Sequence, residues 1–144
     1  MKFDSTTDLS SSIYKDTLTI RKTVFVQEQK VDESLEIDDL EDQALHIVGY
    51  DNNQACCTAR LIEKENGLIK IQRVAVLKEF RNKGIGLLLL REIERLARET
   101  FEASKLLLDS QDHAIPFYEK SGFTVYGDGF LDANIPHHHM EKTL

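Results

Sequence analysis

The residues best placed to do chemistry lie in one segment, Gln72-Arg73-Val74-Ala75-Val76-Leu77-Lys78-Glu79-Phe80-Arg81-Asn82-Lys83-Gly84-Ile85-Gly86. It reads as a strand, a basic turn and two glycines opening an amphipathic helix. Such a turn assembles an anion site. The first helical turn has free N–H groups, the helix dipole places positive potential there, and glycines let a phosphate approach the backbone. Arg81 and Lys83 add positive charge. The pattern points to a phosphate-bearing ligand; the competing reading is a tight turn whose glycines only permit close packing. Two other phosphate motifs are excluded. No Gly-x-x-x-x-Gly-Lys-Ser/Thr string occurs, and a dinucleotide fingerprint needs Gly or Ala three positions past Gly86, where the chain has Leu89.

Two further groups invite chemistry. His137, His138 and His139 are consecutive. On a strand they alternate faces, so at most two converge on one metal, and no Cys or Asp stands at metal spacing; no metal site is expected. Cys56 and Cys57 are adjacent, so on a strand they point to opposite faces and are poorly placed to bridge each other. They read as packing residues of a reduced, cytoplasmic protein, and the N-terminus shows no basic region followed by an apolar core that would make a secretory signal.

Elements to position these residues can be read along the chain. Its 144 residues fit one domain spanning 1–144, with 41% apolar and 30% charged residues excluding intrinsic disorder. The longest apolar run, Ile85 to Leu90, is too short to span a bilayer, so no membrane partner is expected. Asp8 can cap a helix to about Val26, with Leu9, Ile13, Thr17, Ile20 and Val24 as its apolar stripe. Ala44–Tyr50, Ala55–Glu63 and Leu68–Leu77 read as an antiparallel meander. A helix follows over Gly84–Phe101, with Leu87, Leu90, Leu96 and Ala97 on its apolar face, then a strand over Lys105–Leu108 and a brief helix over Ile115–Lys120. Phe123–Tyr126 and Pro136–Lys142 are two last strands around a Gly127-Asp128-Gly129 turn. The result is a mixed α/β (α+β) fold with a mainly antiparallel sheet.

Charge is uneven. Glu28 to Asp42 carries eight acids and one base, equal to the whole net charge of −7, whereas Arg73 to Arg98 is +4. The acidic total argues against a duplex-DNA partner. The acidic stretch is either a solvated surface or a funnel for a cationic substrate.

Arg81-Asn82-Lys83-Gly84-Ile85-Gly86 matches the Arg/Gln-x-x-Gly-x-Gly/Ala signature of the GCN5-related N-acetyltransferases, and Ala114-Ile115-Pro116-Phe117-Tyr118-Glu119-Lys120-Ser121-Gly122-Phe123 resembles their second landmark. Val24-Phe25-Val26-Gln27-Glu28-Gln29 and Ile135-Pro136-His137-His138-His139-Met140 resemble a small bacterial subgroup, ElaA-like or YjcF-like. Together the resemblance covers residues from about 21 to 142. It implies a sheet of about six or seven strands flanked by helices, with a splay between Arg73–Val76 and Lys105–Leu108 holding the thioester of acetyl-CoA. Val74, Ala75 and Val76 would bind the pantetheine arm, and Arg81, Asn82, Lys83, Gly84, Ile85 and Gly86 the pyrophosphate. Gln111 and Phe117 would also contact the cofactor.

The resemblance further implies direct acetyl transfer to a primary amine of a small molecule or peptide, with Tyr118 protonating the leaving thiolate. A non-catalytic acyl-CoA sensor is the alternative. An ammonium must lose a proton before attack. Some members of the family use a Glu on the central strand, but Leu68–Leu77 holds no carboxylate; Glu28 is the leading acceptor-side base, with His46 and His137 behind it as substrate-side candidates. A homodimer is left open.

Overall fold

The computed structural model describes residues Met1 to Leu144. Seven strands form one sheet in the order β1-β2-β3-β4-β5-β7-β6. They are β1 (Lys2–Thr6), β2 (Leu45–Asp51), β3 (Gln54–Glu65), β4 (Leu68–Val76), β5 (Lys105–Gln111), β6 (Thr124–Asp132) and β7 (Ile135–Thr143). The helices are α1 (Ser12–Arg21), the short α2 (Glu33–Glu36), α3 (Ile85–Phe101) and α4 (Ile115–Lys120). All neighbouring strands are antiparallel except β4 and β5, which run parallel across the α3 crossover. The expected mixed α/β fold with a mainly antiparallel sheet is the one observed.

The two faces are packed differently. An 18-residue apolar cluster joins the sheet to α3 and α4, with Leu89, Ile93 and Ala97 fully buried against Ile69, Leu106 and Met140. Burying such aliphatic side chains contributes about 1.5–3 kcal/mol each. On the opposite face the cluster around α1 has only Ile20, Val24, Val48 and Ala75. Ionic contacts supply much of the remaining packing there.

Several local expectations are corrected. β1 is an addition to the expected strands; it is a five-residue edge strand of alternating polarity with little apolar content to mark it. Asp8 does not cap α1: its carboxylate accepts from Ser10, and Ser11 Oγ accepts from Ile13 N–H as the true N-cap. The first helix also does not end at Val26. Lys22–Glu28 continues it with π-type winding, in which Gln29 N–H reaches the Val24 carbonyl. On α3, Leu87 and Leu88 are exposed, and the buried stripe runs through Ile85, Leu89, Leu90, Ile93, Leu96 and Ala97. Gly127–Gly129 is not the hairpin turn. Tyr126 faces His139 and Phe130 faces His137, so these glycines form a bulge inside β6. The turn is Ala133-Asn134, both in the left-handed region that a two-residue hairpin requires.

Candidate active site

The cleft begins where β4 and β5 part. They pair only over Leu68–Ile71 and Lys105–Leu108. Lys105–Leu108 is therefore the paired part, not one wall of the gap, and the splay opens beyond it at Asp109–Gln111. A bulge in β4 accompanies the parting. Thr58 faces Ala75 while Arg60 faces Gln72, which leaves β4 one residue longer, and Arg73 sits there at φ +56°. Leu77 N–H bonds the Cys56 carbonyl of β3. By alternation the N–H and C=O groups of Val74 and Val76 turn away from β3 toward the gap, where Arg81 Nε donates to the Val76 carbonyl at 2.9 Å.

At the end of β4 the chain turns into α3. Gly84 caps the helix at φ +78°, and Leu88 N–H makes the first helical bond, to Gly84. The N–H groups of Ile85, Gly86 and Leu87 precede that bond and have no helical partner, so they can bind an anion. A Cβ on Gly86 would meet Phe117 Cζ at 3.1 Å, so this glycine also lets α4 pack against the turn. The cleft has a volume of about 800 Å³. It brings together Val74, Ala75, Val76, Arg81, Asn82, Gly84, Ile85, Gly86, Gln111, Phe117 and Tyr118. Lys83 is the exception: its ammonium lies outside, 5.8 Å from the Phe80 ring centroid.

Tyr118 lines the cleft but is 8% exposed, with its ring held edge-on between Phe117 and Phe123 at 5.1 and 5.8 Å. Burial pushes its hydroxyl well above the usual tyrosine range, so it stays protonated. Glu28 also borders the cleft, brought there by the π winding of the first helix. Its carboxylate is gripped by Arg81, with contacts of 2.6 and 2.9 Å that hold it below the ordinary glutamate range. Such a carboxylate is a weak base. Gln111 exchanges amide hydrogen bonds with Gln29, at 2.8 and 3.4 Å, tying β5 to the end of the π segment. His137 faces the cleft, 8% exposed.

His46 does not reach the cleft. It is fully buried, its Nε2 bonds the Glu41 carbonyl at 2.8 Å, and its ring packs edge-on against Tyr14. Burial lowers its pKa. It is a core residue of the polar layer under α1, not a substrate-side candidate.

The acidic stretch is not simply a solvated surface. Glu36 and Glu41 are 4% and 5% exposed. Arg21 donates to both, at 2.6 Å to Glu36 and 2.7 Å to Glu41, and Arg60 donates to Glu41 at 2.6 Å and to Asp38 at 2.7 and 2.8 Å. Arg73, at the β4 bulge, donates to the Glu36 carbonyl at 3.0 Å. Three arginines thus draw the segment onto the sheet, where Val31, Leu35 and Glu36 form one wall of the cleft. Asp32, Glu33, Asp39 and Asp42 remain exposed. One signal for this is present in the sequence. Arg60 is the one charged residue of the stretch Cys56–Ile62, and a charge inside a buried strand demands a buried counter-charge. Gln29 and Arg73 carry no comparable mark, because the first depends on the π winding and the second on the bulge.

A seven-stranded sheet splayed at its one parallel pair, with a turn of free helix N–H groups at the mouth of the gap, is the fold of the GNAT acetyltransferases. The chain belongs to the GNAT acetyltransferases: residues 12–144 match the family's acetyltransferase (GNAT) domain. It is 40% identical over 129 residues to the protein of Bacillus subtilis (strain 168) named as the uncharacterized N-acetyltransferase YjcF, covering 89% of this chain and 91% of that protein. The crystal structure of Escherichia coli ElaA shares the fold at a TM-score of 0.87 and 24% identity, covering 98% of both chains. A GNAT family acetyltransferase from Elizabethkingia anophelis, solved with acetyl-CoA bound, shares it at a TM-score of 0.69 and 16% identity, covering 99% of this chain and 97% of that one. Both the family expected from the sequence and its subgroup are found.

Proposed function

We propose that residues 1–144 form one N-acetyltransferase domain that moves the acetyl group of acetyl-CoA directly to a primary amine within a ternary complex. The observation that carries this reading is the continuity of the cleft. The inward-turned backbone of Val74 and Val76 leads without interruption to the unpartnered N–H groups of Ile85, Gly86 and Leu87. The first suits a pantetheine arm with amide groups, the second a pyrophosphate. Arg81 joins the two regions by its bond to the Val76 carbonyl, and Phe117 covers the glycine turn.

In this reading Tyr118 is the acid that protonates the departing coenzyme thiolate; burial favours its protonated form. Glu28 is a positioning residue that fixes Arg81. Gln111, held by Gln29 at the splay, contacts the cofactor. The transfer requires no metal. The two free, buried cysteines suit a reducing cytoplasm, and no helix is long and apolar enough to cross a membrane.

The test has two parts. Acetyl-CoA is expected to bind in calorimetry and raise the melting temperature, and a panel of primary amines is expected to give acetyl-CoA-dependent thiol release. Binding without release from any amine would favour an acyl-CoA sensor. No binding would end both readings.

A further inference from the structure

The amine acetyltransferase reading leaves open which group takes the acceptor's proton, and the charged lining of the cleft narrows the answer. Glu28 is held by Arg81, Glu36 by Arg21, and Asp109 by Lys70 at 2.9 Å and His139 at 2.6 Å. Arg81 engages both oxygens of Glu28, while Glu36 Oε1 and Asp109 Oδ1 are each held by their partners. Asp132 and His113 border the cleft but are solvent-exposed.

His137 differs from all of these. Its Nδ1 lies 2.6 Å from the carbonyl oxygen of Ile135. A carbonyl can only accept, so Nδ1 carries the hydrogen in the neutral ring and the lone pair is on Nε2. The ring is stacked against Phe130, with centroids 5.8 Å apart and planes 25° apart. In the sheet His137 is in register with Gln111 of β5, the residue that flanks the splay. Backbone, stacking and burial thus fix the ring of this cleft-lining residue, and no group of the protein uses its Nε2 lone pair. The other two histidines of the run are spent elsewhere: His138 Nδ1 on Asp112 and His139 Nδ1 on Asp109. The charged and titratable groups around His137 are Asp109 on β5 with its partners Lys70 on β4 and His139 on β7, His113 after β5, Asp132 on the β6 side and the Glu28–Arg81 pair on the helix side.

We propose that His137 Nε2 is the general base of the transfer, a role that rests on the acetyltransferase reading above. The acceptor ammonium gives one proton to Nε2, directly or through one water. The resulting neutral amine forms the C–N bond to the thioester carbonyl. The C–S bond breaks as Tyr118 gives its proton to the coenzyme sulfur, and the second proton leaving nitrogen passes through water to the Tyr118 oxygen and restores the acid. His137 returns its proton to water, so each turnover yields one amide, one thiol and one free proton.

Nitrogen-15 spectra of histidine-labelled protein at about pH 8 are expected to show His137 as the Nδ1–H tautomer. An Nε2–H tautomer would overturn the assignment without reference to any acceptor. In kinetics with acetyl-CoA and a panel of primary alkylamines, His137→Gln is expected to lower kcat by about 10²-fold. Its acetyl-CoA affinity, measured separately by calorimetry, should stay unchanged, and His113→Gln should keep the wild-type kcat. With hydroxylamine, an acceptor that is already neutral, the loss in His137→Gln should be much smaller. Wild-type kcat in His137→Gln, an equal loss with hydroxylamine, or a loss confined to His113→Gln would each remove the base. Failure of the wild-type protein to bind acetyl-CoA would remove the transferase reading itself, and the base with it.

Discussion

Glu28 grips Arg81 with both carboxylate oxygens, Oε2 at 2.6 Å from Nη1 and Oε1 at 2.9 Å from Nη2, while Arg81 Nε donates to the Val76 carbonyl. One guanidinium therefore joins three elements: the π-wound end of the first helix, the last residue of β4 and the glycine turn. The same grip turns a candidate base into a brace. Arg81 stabilises the ionised form of Glu28, and a base needs the opposite bias. Glu28→Gln is expected to raise KM for acetyl-CoA several-fold, because Arg81 loses its fixed geometry. It should lower kcat far less than the ~10²-fold or greater loss of a true general base. Steady-state kinetics with each substrate varied in turn would separate the two, and a dominant kcat effect would restore Glu28 as the base.

Tyr118→Phe removes one oxygen from a ring otherwise held by Phe117 and Phe123. Burial is the only influence on that hydroxyl, with no hydrogen bond in the protein to offset it, so stability should change by no more than about 1 kcal/mol. Turnover is expected to fall about 10²-fold with the acetyl-CoA dissociation constant unchanged. The raised pKa also means that Tyr118 does not ionise in the accessible alkaline range. Any alkaline fall in kcat should therefore persist unchanged in the residual activity of the variant.

Glu41 receives hydrogen bonds from Arg21, Arg60 and the Tyr14 hydroxyl in a buried layer. Removing one partner of a buried ion network strands the others, so Glu41→Ala is expected to cost about 3–5 kcal/mol in urea unfolding. The network also sets the acid limit. Arg60 holds the Asp38 carboxyl below its ordinary value of 3.8. At Glu41 burial favours the neutral form, but the bonds from Arg21 outweigh it and hold the carboxyl below 4.5. Both groups contribute stability that is complete above these unfolded values and is lost as pH falls through the lower folded ones. Unfolding free energies from about pH 7 to about pH 3 should therefore decline below roughly pH 4.5, and Asp38→Asn should flatten that decline.

How far these features can be read in the sequence depends on the range of the interaction that makes them. The glycine turn, α3 and the Phe117-Tyr118 helix are local patterns of spacing and turn chemistry, and all three appear where the residues place them. The position of the splay is not local. It depends on the left-handed Arg73 that lengthens β4 against β3, and nothing in Gln72-Arg73-Val74 marks a bulge. The acidic stretch misleads for a related reason. A run of eight acids reads as solvated until Arg21, Arg60 and Arg73, each from a different element, are seen to converge on Glu36, Asp38 and Glu41. His46 and His137 look alike as strand histidines. Only tertiary placement sends one into the layer beneath α1 and the other to the cleft.

The two glycines of the turn should fail in different ways when given a side chain. Gly84 sits at φ +78° and a Cβ there would have no neighbour within 4 Å, so Gly84→Ala meets backbone strain and no clash. That strain costs about 1–2 kcal/mol, a change in melting temperature of several degrees. Gly86 has an ordinary helical backbone, but its Cβ would lie 3.1 and 3.3 Å from two Phe117 ring atoms. Phe117 would have to shift, and with it the ring contact that positions Tyr118. Gly86→Ala is therefore expected to lower acetyl-CoA affinity and kcat together while costing less stability than Gly84→Ala. The double variant Gly86→Ala/Phe117→Leu, which makes room beside the new methyl group, should recover acetyl-CoA affinity if Phe117 is the obstruction. If affinity stays low in that double variant, the methyl group itself blocks the phosphate-binding backbone, and the role of Gly86 is close approach to the ligand and not packing against α4.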